Sequence, residues 1–70
     1  MSSEDARLAG QKFAATKMEL DAAIMNFQAA IQREDTFRIP ATSEAAHASL
    51  QEHLDAYAGL FALVKRDIKP

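Results

Sequence analysis

Cysteine and tryptophan are absent from the 70 residues, and glycine and proline occur only twice each. Without cysteine there is no disulfide framework, no thiolate metal site and no cysteine nucleophile. Long apolar runs are missing too: the longest, Tyr57 to Val64, falls well short of the ~20 residues a membrane-spanning helix requires. Residues 1–10 carry Ser, Glu, Asp and Arg where a secretory signal would need an apolar core, so the expected location is the cytoplasm. Eight Lys and Arg against ten Asp and Glu give a net charge of −2. That lacks the basic excess that phosphate-backbone contacts leave in a small nucleic-acid-binding domain, so general nucleic-acid binding is disfavoured.

What the chain has in abundance is alanine, at fifteen positions, and with so little Gly and Pro the intrinsic preference is helical throughout. One interruption stands out, Asp35-Thr36-Phe37-Arg38-Ile39-Pro40, where β-branched residues and a proline replace the alanine-rich sequence. Ser2 or Ser3 before Glu4 and Asp5, and Thr42 or Ser43 before Glu44, have the form of helix N-caps. Lys65, Arg66 and Lys69 place positive charge where the dipole of a closing helix favours it. The expected fold is all-α: helices over about 3–34 and 42–67, a connection over about 35–41, and an antiparallel helical hairpin.

Apolar spacing refines this picture. Phe13, Leu20, Ile24, Phe27 and Ile31 in the first helix, and Leu50, Leu54, Tyr57, Phe61, Val64 and Ile68 in the second, recur at heptad-like steps. Pairing these seams predicts layers of Ile31 with Leu50, Phe27 with Leu54, Ile24 with Tyr57, Leu20 with Phe61 and Phe13 with Ile68. It also sets Lys17 opposite Val64 and Glu34 near His47. A second stripe, Leu8, Ala15, Met18, Ala22, Met25 and Ala29, runs along the other side of the first helix. Gly59, Leu60 and Leu63 flank the second seam. A lone hairpin would leave such a stripe wet, and 70 residues lie near the lower limit for a self-sufficient core. Self-association is therefore expected through these nine residues, into a four-helix bundle or a higher oligomer.

Chemistry-bearing residues are sparse. Glu44 and His47 share the i, i+3 spacing that helix bundles use for carboxylate-bridged metals, but further inward glutamates are lacking, so no metal or other cofactor is expected. His53 lies between Glu52 and Asp55 without an evident nucleophile beside it, and no catalytic residue is assigned. The basic residues form two groups, Arg33 and Arg38 around Phe37, and Lys65 with Arg66. An arginine pair beside an aromatic ring is able to hold a phosphate and stack a base, and these five residues are the candidate ligand contacts. The plainer expectation is that Phe37 caps the core and the C-terminal cations complement the helix dipole.

Gly59-Leu60-Phe61-Ala62-Leu63-Val64-Lys65, followed by Ile68 and Pro70, resembles the closing helix of the phage anti-CBASS sponge proteins. These are small oligomeric helical hairpins that sequester cyclic nucleotide messengers. The resemblance is confined to that helix and transfers no binding residue. Two functions are therefore expected as alternatives. One is a non-enzymatic, self-associating hairpin that binds a protein partner as adaptor, inhibitor or assembly subunit. The other is a phage anti-defence sponge for a small cyclic nucleotide.

Overall fold

A computed structural model describes residues 3–68 of the chain, with side chains placed for residues 4–66. Ser2, Lys69, Pro70 and the Ile68 side chain, all used in the sequence reading, lie outside what is described. The described residues form two helices, α1 (Ser3–Gln32) and α2 (Arg38–Ile68), packed against each other as an antiparallel hairpin. The hairpin measures 52 × 17 × 14 Å.

The turn explains where each helix stops. Glu34 takes a left-handed backbone conformation with φ of 55°. Its N–H donates to the Ile31 carbonyl, and the next N–H, of Asp35, donates to the Ala30 carbonyl. This is a Schellman closure of α1 with a glutamate where glycine is usual. Asp35 then starts α2: its carbonyl accepts from the N–H groups of Arg38 and Ile39, and its carboxylate accepts from Arg38 N–H at 3.1 Å. One residue thus finishes the first helix and caps the second.

Because Asp35 caps α2, the helix begins four residues earlier than the sequence predicts. Pro40 is the third residue of α2, and its missing N–H deprives only the Thr36 carbonyl, in the turn ahead of the helix, of an i+4 donor. Thr42 is correspondingly not a cap. Its hydroxyl donates back to the Arg38 carbonyl at 2.7 Å, within the helix.

The packed positions keep strict three-four spacing on both helices. On α1 they are Ala6, Ala9, Phe13, Thr16, Leu20, Ala23, Phe27 and Ala30, and on α2 Ile39, Thr42, Ala46, Ser49, His53, Ala56, Leu60 and Leu63. Alanine, serine and threonine supply nine of these sixteen positions. Among the described residues, Leu20, Ala30, Ala56 and Thr16 are buried, and no large side chain is fully buried.

The predicted layers are therefore corrected. Phe13, Leu20 and Phe27 do face α2, but Ile24, Ile31, Leu50, Leu54, Tyr57, Phe61 and Val64 all stay substantially exposed. Phe13 stacks on His53 and lies near Tyr57, far from Ile68. Lys17 pairs with Asp21 on its own helix at 3.0 Å, not with anything near Val64. Glu34 sits in the turn with no ion pair to the exposed His47 among the described residues. The cause is α2 itself, which carries two three-four seams one residue apart. The sequence reading chose the bulkier one, whereas the hairpin packs through the one built of smaller residues.

Candidate functional site: an apolar face and a basic groove

Each exposed large residue of α2 from Leu50 onward immediately follows a packed position: Leu50 follows Ser49, Leu54 follows His53, Tyr57 follows Ala56, Phe61 follows Leu60 and Val64 follows Leu63. On α1, Ile24 follows Ala23 and Ile31 follows Ala30 in the same way. A step of one residue turns 100° about a helix axis. In two antiparallel helices, steps taken in the chain direction from facing seams emerge on the same broad side of the pair. These seven apolar residues therefore share one face of the hairpin. Tyr57 and Phe61 stack there with ring centroids 5.9 Å apart, and each is about half exposed, at 50% and 51%.

The opposite broad face consists of the residues preceding the seam, and it is of another kind. Ala15, Ala22, Ala45, Ala48, Gly59 and Ala62 are interspersed with Asp5, Lys12, Glu19, Glu52 and Asp55. The stripe proposed for self-association lies toward this side and the back of α1. Leu8, Ala15, Met18, Ala22 and Met25 are exposed, Met18 at 73%, and Ala29 is half-buried. Gly59 is exposed as well, and a Cβ built on it would meet nothing within 4 Å, so inside one hairpin no packing contact requires a glycine there. Leu60 and Leu63, expected on free flanks, instead belong to the contact with α1.

Near the turn, a groove of about 310 Å³ is lined by Asn26, Ala29, Ala30, Arg33, Asp35, Arg38 and Thr42. It brings together the two arginines singled out from the sequence. Arg38 Nε lies 3.8 Å from Asp35 Oδ2, which offsets part of the positive charge. Phe37 does not line the groove and is 90% exposed, so it neither caps the core nor joins the arginines. Lys65 and Arg66 fall in the last turn of α2, about 40 Å from Arg38 at 1.5 Å per residue, and share no pocket with it in one chain.

Polar chemistry inside the hairpin centres on Thr16 and His53. Thr16 Oγ1 lies 2.8 Å from His53 Nδ1, and also 3.0 and 3.1 Å from the Lys12 and Phe13 carbonyls. A hydroxyl with one proton satisfies this set by donating to its own helix and accepting from imidazole Nδ1–H. Neither residue stands on the bulkier apolar seam, so hydrophobicity alone does not reveal the pair. The regular spacing from Ile39 to Leu63 was the available signal. Glu44 and His47 are both exposed, and no cluster of three or more potential metal ligands occurs among the described residues. No described helix is long and apolar enough to cross a membrane. No family model, curated protein or solved structure matches the chain.

Proposed function

We propose that this chain is a non-enzymatic assembly module, a hairpin that self-associates and acts by stoichiometric binding to a protein partner, as adaptor, inhibitor or assembly subunit. The observation carrying the reading is the mismatch between size and compactness. The radius of gyration is 15.8 Å, where a compact domain of this length has about 11 Å. Many large apolar side chains, among them Leu54, Tyr57 and Phe61, are correspondingly left at the surface. A bundle supplies the missing neighbours, and a partner offering an apolar helix meets the same surface in the same way. Solution mass and circular dichroism, followed together over a dilution series, test this. The expected result is an oligomer at micromolar concentration whose melting temperature rises with protein concentration. A folded monomer with a concentration-independent melt overturns it.

The groove favours a second reading, a cyclic-nucleotide sponge, because Arg33 and Arg38 converge there and guanidinium pairs bind phosphate oxygens well. Thermal-shift measurements against cyclic di- and trinucleotides test it. A rise in melting temperature that vanishes in Arg33→Ala/Arg38→Ala, with the oligomer intact, supports the sponge, and no shift across the panel removes it.

A further inference from the structure

Self-association leaves open which surface is used; the exposed area is enough for one interface, and pattern and charge select the face. The chain exposes 5412 Å², whereas a compact monomer of 7.7 kDa exposes about 4,300 Å². The excess of roughly 1,100 Å² exceeds the about 800 Å² that each partner contributes to a standard interface.

The first selecting feature is pattern. Leu50, Leu54, Tyr57, Phe61 and Val64 repeat at alternating steps of four and three, the spacing by which one helix meets another. α2 already uses a second such seam against α1, so this one is available for a further helix.

The second is charge. In a two-fold dimer a face meets its own copy, so any net charge on it repels itself. On the apolar side, the charged residues following the seam on α1 are Arg7, Lys17 and Asp21. Each is engaged within α1, Arg7 with Glu4 at 2.7 Å and Lys17 with Asp21 at 3.0 Å. On the opposite side, Asp5, Glu19, Glu52 and Asp55 outnumber Lys12 and Arg38, and that face opposes its own copy.

We infer that a second copy of this chain covers the Leu50–Val64 face, together with Ile24 and Ile31, so that two hairpins form a two-fold dimer with a shared four-helix core. The inference rests on the self-association reading and adds the face that carries it. Tyr57 stands near the middle of the α2 seam and is the only tyrosine in a chain without tryptophan, so its emission reports on this surface directly.

Sedimentation equilibrium of the full chain is expected to give the mass of two copies for wild type and for Met18→Glu/Met25→Glu, and of one copy for Leu54→Glu/Phe61→Glu. Iodide quenching of Tyr57 emission in the unmodified chain is expected to rise as dilution splits the dimer while helix content is retained. That measurement decides the matter even where the double glutamate variant fails to fold. A wild-type chain that stays monomeric and folded overturns self-association, and the face with it. An oligomer whose mass survives Leu54→Glu/Phe61→Glu, or whose Tyr57 is quenched equally before and after dissociation, overturns the face alone.

Discussion

The hydroxyl of Thr16 and Nδ1 of His53 meet at 2.8 Å across the hairpin, joining α1 to α2 by a side-chain hydrogen bond. Phe13 stacks on the same imidazole with ring centroids 4.6 Å apart. A polar contact of this kind adds little net stability when made and costs more when half of it is removed. Only one alignment of the two helices places the two groups together, so the contact favours the register that the short turn also sets.

Replacing Thr16 by valine leaves Nδ1 of the half-buried His53 without its partner. The expected loss is about 1–2 kcal/mol in urea denaturation at fixed protein concentration. Adding His53→Leu to Thr16→Val should restore part of it, since removing both partners leaves nothing unsatisfied. A double variant as unstable as the sum of the two single ones would show that the contact carries no coupling.

Glu34 occupies a left-handed conformation, which costs an L-residue with a Cβ about 1–2 kcal/mol. Glu34→Gly should therefore stabilise the hairpin by about 0.5–1 kcal/mol after allowing for the greater freedom of glycine in the unfolded chain. Asp35→Ala acts in the opposite direction, removing the side-chain acceptor at the start of α2 for a loss of about 1 kcal/mol. Thermal melts of the two variants at matched concentration read both signs.

Gly59 has open space around the position of a Cβ. Gly59→Ala should raise helix stability by about 1 kcal/mol and leave the solution mass unchanged. A variant that melts higher but loses mass would show that another chain approaches closest at Gly59.

At 90% exposure Phe37 contributes almost no packing. Phe37→Ser should alter unfolding free energy by no more than about 0.5 kcal/mol. A larger loss in chemical denaturation would mean that the ring is covered in the assembled protein.

Much of the architecture was legible in the sequence. Alanine content, scarce Gly and Pro, and three-four spacing specify two helices, and a single interruption makes them an antiparallel pair. The start of α2 was not legible, because Pro40 reads as a connection until Asp35 is seen to cap a helix that includes it. Nor was the facing seam. Phe13, Leu20 and Phe27 were placed correctly, but on α2 hydrophobicity ranks Leu54, Tyr57 and Phe61 above Ala46, Ser49 and Ala56. The covered positions are nevertheless the smaller ones. Arg33 and Arg38, adjacent to the turn in the sequence, line one groove, whereas Phe37 between them stands 90% exposed outside it.

The turn from Arg33 to Phe37 also determines the rotation of α2. One residue removed there would swing that helix through about 100°, enough to turn Leu50, Leu54, Tyr57, Phe61 and Val64 inward and expose His53 and Ser49. With no substitution in either helix, the greasy exterior would become an interior. The left-handed Glu34 and the capping Asp35 thus act as a selector, choosing which of two interchangeable sides this chain offers to its surroundings.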